Sequence, residues 1–483
     1  MARGTKAAAL AAGPVEGPWE LPDGWRWERL CQRADLVRGV SYSKQQAGKD
    51  RTSTRQTLLR GGNVQAGRIV FSDLVYVDMA CIADEQLVRE NDIVLTMSSG
   101  SAALVGKSAL VRHLPEPMTF GAFCACIRAH DPQDAAWIYW FLQTGHYRSV
   151  ISGSAKGTNI NNLKRQDLEG LAVPVPPRDK QRHIVARIDD LFSELDDGGA
   201  ALARARDDLE TYRKSLLKSA VTGELTADWR AANPPQETGE QLLQRILADR
   251  KVCWEANPKT RGKRYKEPLN HGHYPLPQLP TGWTWASVDQ LIAGLRNGVS
   301  KKPNPAPPGV PIFRISAVRE MKVKQEDVRW LPEGFDVDGS MVAPGDLLFT
   351  RYNGSPELVG VCGRHRGDVP VAHPDKLMRA EPAFDDDSLF DYLEMAANCG
   401  TTRSFIAAYT KTSAGQHGVS GETVKTAPVP LPPATEMAEI VRLVRGSLNE
   451  HRDTVTLCSG MARTTARLCQ SILSAAFQGK LLQ

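Results

Sequence analysis

The chain has 483 residues, 60 Lys and Arg against 55 Asp and Glu, a formal charge of +5 and 41% hydrophobic residues. That length suggests about three folded units with sizeable cores, and the ordinary composition excludes wholesale disorder and collagen- or mucin-like chains. No stretch approaches the ~18 apolar residues of a spanning helix, and the alanine run at 7–12, ending at Gly13-Pro14, is too weak for an export signal. A cytoplasmic chain without a membrane span is expected. Its nine cysteines, with no CxxC pair, fit a reducing compartment.

In chain order, residues 1–20 read as a flexible tail. A mixed domain over 21–178 opens on Leu21-Pro-Asp-Gly-Trp25-Arg-Trp27 and closes on Val173-Pro-Val-Pro-Pro177, whose prolines stop a strand and stiffen the exit. Between them lie β-rich runs at 65–71 and 92–96 and a helical stretch at 134–142. Cys124 and Cys126 alternate onto one face of a strand and read as buried thiols. A long spacer helix over 179–222 follows. Ile188, Leu195, Leu202, Leu209 and Leu216 recur every seven residues, with Ile184, Leu191, Ala205 and Tyr212 as a companion row, which describes a coiled-coil seam. Residues 223–278 read as a linker holding a short helix and a solvated basic run, Lys259, Arg261, Lys263, Arg264 and Lys266. A second mixed domain over 279–434 and a distal helix over 435–483 complete the chain. The distal seam is less regular and includes Ile440, Val444, Leu468 and Ile472.

The chain is written twice. The opening motif returns as Leu279-Pro-Thr-Gly-Trp283-Thr-Trp285, the run Asp92-Ile-Val-Leu-Thr96 as Asp346-Leu-Leu-Phe-Thr350, and the exit as Val429-Pro-Leu-Pro-Pro433. Ser215 to Leu225 likewise returns as Ser471 to Leu481, ending Gly-Glu-Leu and Gly-Lys-Leu. The steps are all about 256 residues, too long for a solenoid repeat. The fold class that follows is α+β: two duplicated globular domains joined by two long helices, each the natural partner of the other in an antiparallel coiled coil.

Catalytic motifs do not emerge. Gly153-Ser-Ala-Lys156-Gly-Thr158 has the letters of a phosphate loop in the wrong order. Asn233-Pro-Pro-Gln236 lacks the aromatic of an amino-methyltransferase tetrapeptide, and Pro374-Asp375 has no Glu-x-Lys after it. No metal site is expected either. A duplicated chain without catalytic motifs is suited to recognising two things at a set distance.

Both domains carry loops of small polar and basic residues after hydrophobic strands, the types that read base edges and fix phosphates. In the first copy the candidates are Lys44, Arg60, Asn63, Ser98, Ser99, Ser101, Lys107, Lys156, Thr158, Asn159, Asn161, Asn162 and Lys164. In the second they are Lys301, Lys302, Arg314, Arg351, Tyr352, Asn353, Ser355, Lys411, Gln416 and His417.

The doubled opening motifs, Gly345-Asp-Leu-Leu-Phe-Thr-Arg351-Tyr-Asn-Gly-Ser, the Val-Pro-x-Pro-Pro exits and the Gly-(Glu/Lys)-Leu helix ends together resemble the specificity subunits of type I restriction–modification enzymes across almost the full chain. Family exits carry Glu-Gln after the prolines, where this chain has Lys180-Gln181 and Glu436-Met437, and the second copy lacks the Asn159-Ile160 pair. The resemblance implies two target-recognition domains, each reading half of an interrupted sequence in double-stranded DNA. It implies helices that dock two methyltransferase subunits, with a motor-nuclease subunit completing the enzyme. S-adenosylmethionine would sit on the methyltransferase and no cofactor on this chain. The competing expectation is a protein-binding scaffold with two interaction domains, which would lack salt-sensitive, sequence-selective DNA binding.

Overall fold

A computed structural model describes residues 15–154, 161–383, 386–413 and 415–482. The longer helices are α1 (Pro132–Phe141), α2 (Gly145–Ser154), α3 (Arg178–Thr222), α4 (Gly239–Ala256), α5 (Asp387–Asn398), α6 (Gly400–Ala408) and α7 (Ala434–Phe477). The chain separates into two compact units, 1–203 with 458–483 and 204–457, so each unit holds one end of α3 and one end of α7.

In unit 1 an antiparallel four-stranded sheet runs Ser108–Leu110, Ile93–Thr96, Cys124–Ala129, Ala34–Arg38. Cys124 and Cys126 share one buried cluster with Leu59, Val94 and Phe120 on its far side. A second sheet sets Arg55–Leu59 parallel to Met118–Phe120 and antiparallel to Val75–Asp78. Helix α1 starts where Asp131 accepts from the Gln133 amide at 3.0 Å ahead of Pro132, so cap and first-turn proline agree. From Trp137 to Phe141 it is buried on every side, which is why its sequence shows no clean amphipathic stripe.

Unit 2 repeats this frame. Its antiparallel sheet runs Cys362–Arg364, Leu347–Thr350, Leu377–Pro382, Ile292–Asn297, and its second sheet pairs Val310–Phe313 parallel to Val371–Ala372 and antiparallel to Val328–Leu331. The opening and exit motifs of each copy form one clasp. Trp27 lies opposite Pro174 and Trp285 opposite Pro430 in two-stranded antiparallel ladders, a setting that tolerates prolines. A buried aromatic secures each clasp: Trp137 Nε1 donates to the Pro174 carbonyl at 2.8 Å, and the Tyr392 hydroxyl donates to that of Pro430 at 2.7 Å.

The glycine that ends each long helix packs against the opening motif of the other copy. Gly223, at φ +77°, lies against Pro280 and Trp283, and Gly479, at φ +72°, against Pro22 and Trp25. A Cβ at either place would sit within 2.7 Å of a proline ring carbon, and the left-handed backbone independently favours glycine. The two most widely separated repeated motifs are therefore the two halves of one contact, made once in each unit.

The long helices run antiparallel within each unit. Ile184 and Ile188 of α3 share a buried cluster with Leu473, Ala476 and Phe477 of α7, and Leu216, Leu217 and Val221 share one with Ile440, Val441 and Val444. Leu191, Leu195, Leu202 and Leu209 are only half-buried. Two seam positions are corrected. Leu468 is 46% exposed, because the inward stripe of α7 runs through Cys469, Ile472, Leu473 and Ala476. Tyr212 is 51% exposed, because that of α3 runs through Arg213, Leu216, Leu217 and Ala220, both stripes being spaced i, i+3, i+4 and i+7.

The tract at 223–278 is more than a linker. A capping box between Thr238 and Gln241 opens α4, and its Leu242, Leu243 and Ile246 enter the unit 2 core. Arg261, Lys263, Arg264 and Lys266 are exposed.

Candidate nucleic-acid interface

In unit 2 the loops at 351–355 and 411–418 meet although some sixty positions separate them in sequence. Tyr352–Asn353 pairs antiparallel with Gln416–Gly418, which pairs in turn with Lys411–Ser413. Tyr352 lies opposite Gly418, and a Cβ added there would fall 2.4 Å from the tyrosine ring, so only glycine lets the ladder close. The Arg351 guanidinium sits 4.8 Å from the Tyr352 ring centroid, within cation–π range, and donates to the Asp375 carbonyl at 3.5 Å. Asn353 Oδ1 accepts from the Ser355 amide at 3.1 Å, and the Thr412 hydroxyl lies 2.9 Å from His417 Nδ1.

A groove of about 680 Å³ opens beside this ladder, lined by Lys301, Lys302, Arg314, Tyr352, Asn353 and Gln416 from the expected set. Arg319, Arg329 and Lys376 also line it, with Asp375 as the one carboxylate among the described residues. Arg314 is half-exposed and pairs with Asp327 at 3.1 Å. Sequence reasoning missed Arg319, Arg329 and Lys376. The only signal was the density of Lys and Arg between 314 and 329. A concave surface with this excess of cations suits a phosphate backbone.

Unit 1 brings its two loops together the same way. Ser98 pairs with Asn162 and Ser99 with Asn161, and the Ser98 hydroxyl donates to Asn162 Oδ1 at 2.6 Å. Asn161 Nδ2 donates to the Gly100 carbonyl at 3.4 Å, and Ser99 Oγ accepts from the Ser101 amide at 3.2 Å. Lys44, Lys107 and Lys164 are exposed. Arg60 pairs with Asp73 at 2.8 Å, holding that carboxyl below its ordinary range chiefly through this hydrogen bond. Asn63 is reassigned: it is 2% exposed, its Nδ2 donates to the carbonyls of Val70 and Ser72, and its Oδ1 accepts from the Arg60 amide. That buried side chain pins a loop, with both Nδ2 hydrogens already donated. Lys156, Thr158 and Asn159 lie outside the described residues.

A larger cavity in unit 1, about 830 Å³, lies where α1 faces α3 and α7. Two ion pairs cross its lining, Arg112 with Asp189 at 2.9 Å and Arg68 with Asp196, while Trp140 Nε1 donates to Asp189 at 3.0 Å. Among the described residues no three His, Cys, Asp or Glu side chains gather as a metal requires, and no helix is long and apolar enough to cross a membrane.

Two like domains, each bringing two polar loops to one edge, define a duplicated protein of the recognition class. No family model matches the chain. It is 34% identical over 470 residues to the specificity subunit of the type I restriction enzyme EcoKI of Escherichia coli K12, covering 96% of this chain and 90% of that one. It is 28% identical over 467 residues to the StySPI specificity subunit of Salmonella potsdam, with the same coverage. The fold matches a chain from a solved structure concerning complex assembly and conformational transition of the type I R-M system, with TM-score 0.63, 18% identity and 96% of this chain covered. The chain belongs to the family of type I restriction enzyme specificity subunits.

Proposed function

We propose that this chain is the DNA-reading subunit of a type I restriction–modification complex, each unit reading one half of an asymmetric, bipartite target in duplex DNA. The observation that carries the reading is the pairing of two sequence-distant polar loops at the same place in both units, beside a cationic groove in unit 2. Family membership favours it over a protein-binding scaffold. The two units differ at almost every loop position within one shared frame, which supports an asymmetric target. The long helices present outward-facing side chains such as Tyr212, Leu457 and Met461, a platform for two methyltransferase subunits that carry S-adenosylmethionine. A motor-nuclease subunit completes the assembly. This chain supplies neither cofactor nor catalytic group, so the purified chain alone neither methylates nor cuts DNA. Sequencing the methylated adenines of cells that express the chain with its methyltransferase tests the reading. A two-part asymmetric motif is expected. A palindromic motif, or binding by the assembled complex that ignores sequence and salt, overturns it.

A further inference from the structure

Both units carry the same four-residue turn at the recognition edge. In unit 1 it is Gly121–Cys124, closed by the Cys124 amide on the Gly121 carbonyl at 2.8 Å, and in unit 2 Pro374–Leu377, closed by Leu377 on Pro374 at 2.9 Å. Matching bridges, Val40 to Gly121 and Val299 to Pro374, fix the equivalence. The third residue of each turn accepts from the start of the recognition loop, Phe123 from Met97 at 2.8 Å and Lys376 from Arg351 at 2.9 Å. The central residues are Ala122-Phe123 in one unit and Asp375-Lys376 in the other.

Their chemistry diverges in a consistent direction. Phe123 is 65% exposed, and Tyr42, also exposed, lies 3.7 Å from where a Cβ on Gly121 would be. Counting from the matched bridges, Tyr42 corresponds to Lys301 and Phe123 to Lys376, both of which line the unit 2 groove. Where one unit presents lysines the other presents aromatic rings. Scattered exposed apolar residues need no explanation, but two at positions whose counterparts wall a groove do. Asp375 poses the complementary puzzle. Its carboxylate makes no hydrogen bond or ion pair with any described residue although cations line the same groove. Phosphates repel a carboxylate, so its place there makes sense if it accepts from a base amine.

Resting on the DNA-reading function proposed above, we infer that this turn is the base-reading position of each unit. In unit 1 Phe123 makes apolar contact with a thymine methyl group. In unit 2 Asp375 accepts from the N4 amine of a cytosine. The test uses the complete complex with its methyltransferase subunits and target duplexes taken from the mapped motif. Replacing one thymine of the unit 1 half-site with deoxyuridine, which removes only the methyl, weakens wild-type binding roughly 5-fold or more, and F123A abolishes that sensitivity. D375N relaxes one cytosine position of the unit 2 half-site in the methylated motif and leaves the other half unchanged. Insensitivity to deoxyuridine at every thymine, sensitivity that survives F123A, or an unaltered D375N motif overturns the inference. If the wild-type complex still prefers its target to a scrambled duplex, only the turn assignment falls. If it does not, the DNA-reading function falls with it.

Discussion

The two units hold the start of their spacer helices with different buried acids. In unit 1 the acid is Asp134, on α1 and 4% exposed, accepting from Arg178 at 2.6 Å, Gln181 at 2.9 Å and Arg33 at 3.1 Å. In unit 2 it is Glu436 on α7 itself, 1% exposed, accepting from Thr226 at 2.6 Å and from Arg230 and Trp283 at 2.9 Å. Each copy keeps one member of the Glu-Gln pair expected after the prolines: Gln181 in one, whose Nε2 donates to Asp134, and Glu436 in the other, which accepts through both carboxylate oxygens. What stays constant is the apolar and main-chain frame: the clasp ladder, the aromatic donor to a proline carbonyl, and the glycine against the opening motif. Polar locks and recognition edges have diverged around it. A frame independent of its polar surface is what a chain needs if one half-site is to change while the other is kept.

Phe477→Ala tests that independence most severely. Phe477 is 1% exposed, with ring centroids 4.5 Å from Trp137 and 5.3 Å from Phe141, all within unit 1. Truncation costs about 3–5 kcal/mol. Calorimetry should show an early transition, and limited proteolysis should cut within 21–178 while 279–434 stays protected. Simultaneous loss of both would show that the units do not fold separately. Glu436→Gln acts on the other side. It keeps an acceptor for Trp283 and Thr226 but removes the charge that compensates Arg230, whose side chain is 19% exposed. A loss of about 2–3 kcal/mol is expected, read as a lower transition of unit 2 alone.

The frame was legible in the sequence because every part of it is written twice: opening, exit and terminal glycine each signal themselves by repetition. The recognition edge was legible only in part. The loops at 351–355 and 411–417 stand out singly by composition, but nothing local announces that Tyr352 will pair with Gly418. Arg319, Arg329 and Lys376 join the groove only through strand pairing. Asn63 misled for the same reason, since an asparagine that reads a base and one that ties a loop have the same neighbours in sequence. Helix α4 is legible as a helix but not as part of the core, because three apolar positions, Leu242, Leu243 and Ile246, are a modest stripe until a core is found beneath them. Gly418→Ala isolates this long-range contact. Its Cβ would displace the Tyr352 ring, at a global cost of about 1–2 kcal/mol. Binding to the unit 2 half-site should fall by about 5- to 30-fold, the factor that 1–2 kcal/mol implies. In unit 1 the place of Gly418 opposite the first loop is taken by Asn162, whose Oδ1 accepts from the Ser98 hydroxyl. An unchanged affinity would mean the ladder does not shape the groove.

The smallest difference sits just before the recognition turn, where unit 1 has Phe120 and unit 2 has His373, both fully buried. Each gives its carbonyl to the same partner position, Val40 at 2.8 Å and Val299 at 3.0 Å. Burial pushes the His373 imidazole below its ordinary value of 6.5, outweighing the raising effect of its contact with the Ser340 carbonyl at 2.7 Å, and nearby Arg379 pushes the same way. His365, buried in the same unit, is lowered for the same first reason. A histidine whose folded pKa is depressed stays neutral in the native state while the unfolded chain takes up the proton first. Its contribution to stability is therefore intact above about 6.5 and declines as pH falls below it, by at most about 1.4 kcal/mol per pH unit for each group. In unit 1 burial also lowers the half-buried His146, while His113, His130 and His183 are exposed, so the unit 2 transition should move down more steeply than that of unit 1 between pH 7 and 5. His373→Phe, which installs the unit 1 residue, should flatten the unit 2 curve over that window and leave its position at pH 8 nearly unchanged. A slope that persists in this variant would move the effect to His365, and a slope equal in both units would remove buried histidine as its source.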